Sequence, residues 1–291
     1  MPRGKSRKAV ALYVNPGKPA VRRVLPRIVK FLSSYGIEPL GLDSQADDLP
    51  RTLPLYSAAE LGRRARFALV LGGDGTFLAA ARTFCRARLP LLGLRLGTTG
   101  FLTPIEIRDF RKPLGQVLDG DFILEQRAMV EARVLDENGR VVKRGVGLND
   151  VTVKQADMVR LVRLHVVLDG APLGDFSADG LVVSTATGST AYSLSAGGPV
   201  VLPEARILLA TLLCPHTLSS RPIAFPLDST LVVRLRDGSE GTRVFLDGQE
   251  ELRVLPSQRL SISGSRHVTL VVRPPGFSFP GLLRSKLDWK R

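Results

Sequence analysis

Residues 71–77 read Leu71-Gly72-Gly73-Asp74-Gly75-Thr76-Phe77, directly after the apolar run Phe67-Ala68-Leu69-Val70. Glycine reaches backbone angles closed to other residues, and a helix N-terminus attracts anions. Such a turn therefore lets a phosphate-bearing molecule lie against N–H groups, with Gly73, Gly75 and Thr76 as contacts. Asp74 does not suit a phosphate, since like charges repel. It suits a sugar hydroxyl, whose hydrogen bond or proton it can accept. A second run, Ser184-Thr185-Ala186-Thr187-Gly188-Ser189-Thr190-Ala191-Tyr192, offers hydroxyls that bind sugar and phosphate oxygens without adding charge. The Tyr192 ring beside it suits a base. Taken singly, each feature has a plainer explanation: a tight turn, a Ser/Thr-rich loop, a core aromatic, or an Asx turn at Asn149-Asp150. Taken together, they indicate an enzyme acting on a phosphorylated metabolite.

These groups need a scaffold, and the pattern supplies one. Residues 8–14 read as a buried strand. Val21, Val24, Leu25, Ile28, Phe31 and Leu32 recur at helical spacing from Pro19, with Pro26 a weakness and Gly36 a stop. A short strand over 37–42 and a flexible loop over 43–54 follow. Strand 67–71, a helix over 76–86 capped by Thr76, strand 91–94 and the glycine loop Gly97-Thr98-Thr99-Gly100 then predict a parallel sheet with its turns at the carboxyl edge. A short helix over 108–118 leads out.

Beyond residue 122 the period shortens to that of strands. Segments 128–135 and 140–143 flank Asp136-Glu137-Asn138-Gly139 as a hairpin. Strands are expected at 161–168, 181–184, 231–235, 243–246, 252–254 and 267–273, with Asp169-Gly170, Asp237-Gly238 and Asp247-Gly248 as turns. The fold expected is an N-terminal Rossmann-like α/β domain (residues 1–115) and a C-terminal β-sandwich-like domain (116–274). Residues 275–291 are expected to pack back onto the first domain.

The net charge of +14, from 41 Lys+Arg against 27 Asp+Glu, favours anionic ligands. The basic residues are spread out, and no basic–aromatic stripe of the kind that stacks bases is present, so nucleic acid is not an expected partner. No apolar run is long enough for a membrane span or a convincing signal peptide, and a cytoplasmic location is expected. Cys85 and Cys214 lie in apolar surroundings and read as two buried thiols. His165, His216 and His267 are not at metal-ligand spacing, which argues against zinc. The first glycine turn is neither a Walker A loop nor a Gly-x-Gly-x-x-Gly fingerprint.

Gly72-Gly73-Asp74-Gly75-Thr76 resembles the first motif of the NAD kinases, shared with diacylglycerol-type lipid kinases and more loosely with phosphofructokinases. Residues 179–192, followed by Ser195-Ala196-Gly197-Gly198-Pro199, closely resemble the long second motif of NAD kinases. Cys214-Pro215-His216-Thr217-Leu218-Ser219, Arg221-Pro222 and Asp247-Gly248-Gln249 match in order and spacing. The resemblance spans roughly residues 67–250. The first motif alone also permits a lipid kinase, which residues 178–199 argue against; a non-catalytic nucleic-acid or dinucleotide-binding module is the third reading.

The resemblance implies transfer of a phosphoryl group from ATP or inorganic polyphosphate to the 2′-hydroxyl of the adenosine ribose of NAD, with Mg2+ or another divalent cation. It also implies a homodimer or homotetramer. Asp74 matches the residue that deprotonates the hydroxyl. Asn149 and Asp150 match residues on the ribose or adenine side, Asp179 a carboxylate near the nicotinamide end, and Thr190, Ala191 and Tyr192 the adenine wall. Thr187, Ser189 and Gln249 fall within matched motifs and complete the substrate-binding set. Arg95, beside the second glycine loop, joins that set as a candidate contact for donor phosphates. The chain departs from the family pattern at Arg95 (usually Asn), Thr99 (commonly Leu), Asp150 (usually Glu) and Ala186 (usually Pro).

Overall fold

The structure is a computed structural model and describes residues 8–15, 17, 19–97, 100–155, 161–217, 219–236 and 241–288. It divides into two compact units, Met1–Gln126 with Thr269–Arg291, and Arg127–Val268.

The first stretch of chain runs β1 (Ala9–Val14), α1 (Pro19–Ser34), β2 (Glu38–Leu42), a 3-10 turn (Asp43–Asp48), β3 (Leu55–Tyr56), α2 (Ala58–Arg64), β4 (Ala68–Gly72), α3 (Asp74–Phe84), β5 (Leu91–Arg95), β6 (Ile105–Glu106) and α4 (Arg111–Leu118). The strands pair in parallel in the order β3-β2-β1-β4-β5. This is the doubly wound arrangement, and the strand order reverses between β1 and β4. Ligands of such sheets bind outside the carboxyl ends at that reversal, where Asn15 and Gly73-Asp74 stand. The α1 helix continues past Pro26. A proline inside a helix costs about 3 kcal/mol. Val21, Leu25, Ile28 and Leu32 are all buried against Val10, Leu12, Leu69 and Leu92. At roughly 1.5–3 kcal/mol per buried side chain, this stripe outweighs the proline.

Two expectations need correction. The segment expected as a flexible loop over 43–54 begins with the 3-10 turn, anchored by Gln45. Its amide donates to the Val14 carbonyl (2.7 Å) and accepts from the Val14 N–H (3.0 Å), standing in for a strand partner. Helix α3 starts at Asp74 rather than Thr76, with Gly73 at the N-cap and no side-chain cap. An acidic residue in the first turn is favoured by the helix dipole. Thr76 is instead buried inside the helix and accepts a bond from Asn15 Nδ2 at 3.1 Å.

The chain continues through β7 (Ile123–Leu135), β8 (Val141–Gly147), β9 (Asp150–Gln155), β10 (Val162–Leu168), β11 (Ala171–Ala178), β12 (Gly180–Thr185), a 3-10 turn (Thr187–Thr190), α5 (Tyr192–Ser195), β13 (Ile207–Leu213), β14 (Ile223–Pro226), β15 (Thr230–Leu235), β16 (Thr242–Leu246), β17 (Glu250–Arg253) and β18 (Arg259–Arg273). It closes with α6 (Phe279–Lys286). In the second unit β14-β13-β12-β9-β16-β17 form one antiparallel sheet, and β11-β10-β15 with the start of β18 form another. Val151, Val153, Leu181 and Val244 from the first meet Leu164, Val166, Val233 and Leu260 from the second in one apolar core. The β7–β8 hairpin forms at Asp136–Gly139 as expected, with Gly139 at φ +80°. Asp169 and Gly170 (φ +48° and +84°) make the two-residue turn between β10 and β11. The expected turn at Asp237-Gly238 lies outside the described residues. No helix among the described residues is long and apolar enough to cross a membrane.

Gly93 in β5 leaves no room for a side chain: a Cβ there would meet the Leu102 carbonyl and Thr103 Cα at 2.8 Å each. Gly93→Ala should therefore lower unfolding free energy by ~1–3 kcal/mol, read by denaturant titration; an unchanged midpoint would show that the 102–103 backbone is not fixed against the strand.

Candidate active site

In the first unit, α3 turns sharply back from β4. A Cβ at Gly72 would sit 2.2 Å from Thr76 Oγ1, so this reversal requires glycine. The turn leaves Gly75 exposed in the first turn of α3 and half-buries the Asp74 carboxylate. Oδ2 of Asp74 accepts the Phe101 N–H at 2.7 Å. Oδ1 accepts the Leu102 N–H (3.1 Å) and the Thr103 hydroxyl (3.2 Å). A Cβ at Gly100 would lie 2.0 Å from Oδ1, so only glycine lets the loop approach the acid this closely. Gly100 to Thr103 thus fix the aim of Asp74. Thr98 and Thr99 of the second glycine loop lie outside the described residues.

Arg95 ends β5 and is buried, in an ion pair with Glu106, its cross-strand partner on β6. Arg108 first, and Arg95 beside it, hold the Glu106 carboxyl below the usual range. Arg95, Glu106 and Gly100 line a cavity of ≈ 500 Å³ whose far wall is Gly276–Ser278 and α6.

In the second unit the organising group is Asp247. Its carboxylate, 8% exposed, accepts N–H bonds from Leu148 (3.1 Å), Asn149 (2.7 Å) and Asp150 (3.2 Å). Charge-assisted bonds of this kind are worth roughly 1.5–3 kcal/mol each, which offsets the cost of burying the charge. Asp247 (φ +52°) and Gly248 (φ +65°) take left-handed backbone to bring the carboxylate inward. The loop is held from the other side by Thr185, whose N–H donates to the Asn149 carbonyl and whose hydroxyl donates to the Leu148 carbonyl at 2.6 Å. Gly188 packs so tightly that a Cβ would lie 2.1 Å from the Asn149 carbonyl oxygen.

Around this loop Asn149, Asp150, Thr152, Lys154, Ala191, Tyr192, Phe245, Asp247 and Gly248 line a cavity of ≈ 260 Å³. Asp150 is buried, and burial first, then the neighbouring Asp247 charge, push its pKa up to about 6 against a Thr152 hydrogen bond. Tyr192 is 43% exposed, and its hydroxyl is pushed up by burial, with Cys214, Asp179 and Asp150 adding to the effect. Asn149 Oδ1, Ser184 Oγ and Thr187 Oγ1 are buried polar atoms with no hydrogen-bond partner among the described residues. Such orphans are uncommon, and each can accept a bond from a ligand or water.

The remaining candidates are placed as follows. Ser189 is fully buried; its hydroxyl donates to the Ala186 carbonyl (2.8 Å) and accepts the Val201 N–H (3.0 Å), tying the loop together. Thr190 Oγ1 bonds the Thr187 carbonyl at 3.4 Å. Asp179 and Gln249 are exposed, their N–H groups bonded to Leu213 and Leu246 carbonyls. His216 is exposed, and its N–H donates to the Ser177 carbonyl. Cys85 is buried as expected, but Cys214 is exposed, at φ +42° where β13 ends. Lys154, its ammonium 5.1 Å from the Phe245 ring centroid, and the Asp247 carboxylate were missed in the sequence reading. The Asp-Gly turn was visible, but its side-chain partners lie 97 to 99 residues away.

Comparison with known proteins accounts for both halves. Residues 10–122 match the ATP-NAD kinase N-terminal domain and residues 148–273 the ATP-NAD kinase C-terminal domain, which makes this a dinucleotide-phosphorylating enzyme by class. The chain is 35% identical over 283 residues to an NAD kinase of Paraburkholderia phytofirmans, covering 97% of this chain and 94% of that one. A yeast NADH kinase crystallised with NADH superposes with TM-score 0.85 at 25% identity, over 97% of this chain and 88% of the other. An Archaeoglobus fulgidus NAD kinase crystallised with ATP shares the fold, with TM-score 0.72 at 21% identity over 96% and 97% of the two chains. The chain belongs to the NAD kinase family, whose activity is phosphorylation of NAD to NADP.

Asp150 titrates lower when unfolded, from 3.8, than in the native chain, at about 6. A carboxyl raised on folding destabilises the native state as pH climbs through that window. Replacing it by Asn should therefore give a stability advantage over wild type that widens between pH 4 and 6 and is flat above, measured by thermal melts. A pH-independent difference would contradict the shift.

Proposed function

We propose that the chain transfers the terminal phosphoryl group of ATP or inorganic polyphosphate to the 2′-hydroxyl of the adenosine ribose of NAD. The observation that carries the acceptor half is the unpartnered Asn149 Oδ1 at a cavity that also offers the Asp150 carboxyl and the Tyr192 ring. An amide oxygen and a carboxylate accept from vicinal sugar hydroxyls, and a flat ring supports an adenine. Thr187, Thr190 and Ala191 complete the wall on this reading, Asp179 and Gln249 extend it, and Gly73, Gly75 and Thr76 offer the α3 N-terminus to phosphate.

Asp74 takes the proton of the 2′-hydroxyl. The freed oxygen bonds to the terminal phosphorus, the bridging P–O bond breaks, and the donor leaves one phosphate shorter. Among the described residues no three His, Cys, Asp or Glu side chains converge to cage a metal. A magnesium ion entering with the donor would be held mainly by phosphate oxygens and water. Such an ion, bound with the donor, offsets charge developing on the transferring phosphoryl group. Arg95 serves the donor phosphates on this reading, once Glu106 releases it. The family description favours ATP as donor. The same reading takes the protein as a cytoplasmic homodimer or homotetramer that binds neither nucleic acid nor membrane.

Incubation with magnesium, each donor (ATP or polyphosphate) and each acceptor (NAD or NADH) should yield the 2′-phosphorylated dinucleotide in at least one combination; folded protein inactive in all four would overturn the reading. Asp74→Asn should lower kcat by ~10²–10⁴-fold while circular dichroism and melting stay near wild type. A near-normal rate in that variant would reject Asp74 as the base.

A further inference from the structure

The loop that holds Asp74 is itself gripped by the C-terminal helix. Phe101, whose N–H bonds Asp74 Oδ2, has its ring 6.4 Å from that of Phe279. The same ring carries the Lys286 ammonium 5.9 Å from its centroid. Phe279 opens α6 and Lys286 ends it, seven residues apart, so a 3.6-residue period puts both on one face. The helix is itself pinned. Ser278 caps it by accepting the Gly281 N–H at 3.3 Å, Leu283 is buried, and the Arg273 guanidinium lies 4.1 Å over the Phe277 ring just before it. Gly281, Leu282 and Ser285 of α6 line the ≈ 500 Å³ cavity together with Gly100, Pro104 and Ile105.

We propose that Phe279 and Lys286 are positioning residues for the reaction, fixing the Asp74 carboxylate by clamping the Phe101 ring from α6. The proposal rests on the reading of Asp74 as base. Backbone N–H groups can aim a carboxylate only as well as the backbone itself is held. Of the three residues that bond Asp74, Leu102 and Thr103 are buried, while Phe101 is half-buried and its ring meets α6. Neither Phe279 nor Lys286 bonds to Asp74, so their effect runs through the loop. A base displaced by a fraction of an ångström loses rate without any change in how the substrates bind.

Phe279→Ala should lower kcat by ~10-fold with the KM for NAD within about two-fold of wild type, since misplaced catalytic groups cost rate rather than ground-state binding. Phe279→Tyr, which keeps the ring, should restore kcat. Lys286→Met should give a smaller drop of the same kind, which keeps the test open if Phe279→Ala folds poorly. In an Asp74→Asn background, Phe279→Ala should cause no further loss, because the group it positions is already gone. An unchanged kcat in both single variants, a KM effect in place of a kcat effect, or full additivity with Asp74→Asn would overturn the proposal. A near-normal rate for Asp74→Asn alone would instead remove the base reading beneath it.

Discussion

One buried carboxylate does most of the organising in the β-rich unit. Asp247 accepts three successive N–H groups, from Leu148, Asn149 and Asp150, and so converts the entry to β9 into a fixed platform. Asn149 and Asp150 are presented to the ≈ 260 Å³ cavity through that bond set. Asn149 has its backbone satisfied on both sides, by Asp247 and Thr185, while its side-chain oxygen has no partner among the described residues. The arrangement has an electrostatic cost. Asp150 is brought beside a second acid in a dry setting, and its proton is held more tightly as a result. A stability sacrifice at a binding surface is a common feature of sites shaped for a ligand.

The α/β unit solves the same problem with the roles reversed. There the carboxylate is the functional group, and the backbone of residues 101–102 with Thr103 is the holder. Two glycines make this possible, Gly72 by letting α3 fold back on β4 and Gly100 by allowing the loop to touch the acid. In both units hydrogen bonds from consecutive N–H groups fix a carboxylate more rigidly than a flexible side-chain cation would.

Much of this was legible in the residues, for reasons that vary by element. The apolar run before Gly72, the Asp169-Gly170 turn and the Asp136–Gly139 hairpin are local signals, and each formed as read. The start of α3 was misplaced because Thr76 looks like a cap, whereas the fold needs it inside the helix to meet Asn15. β11 escaped notice because Pro172, Gly174 and Asp175 are poor strand formers. It is an edge strand whose outer residues are exposed, so no burial pattern marks it. β13 is absent from the expected strands, since its nearly continuous apolar sequence lacks the alternation that marks a strand. Asp74, Asn149 and Tyr192 stood out by type and context. The Asp247 bonds and the grip of α6 on Phe101 did not, because both join residues far apart in the chain.

The two sulfurs are not equivalent. Cys85 is enclosed and its thiol is pushed up by burial, while Cys214 stands in the open near Tyr192. Alkylating probes discriminate by access and thiolate fraction. The native protein therefore carries one chemically addressable handle close to Tyr192, and a fluorophore can be attached there without engineering any residue.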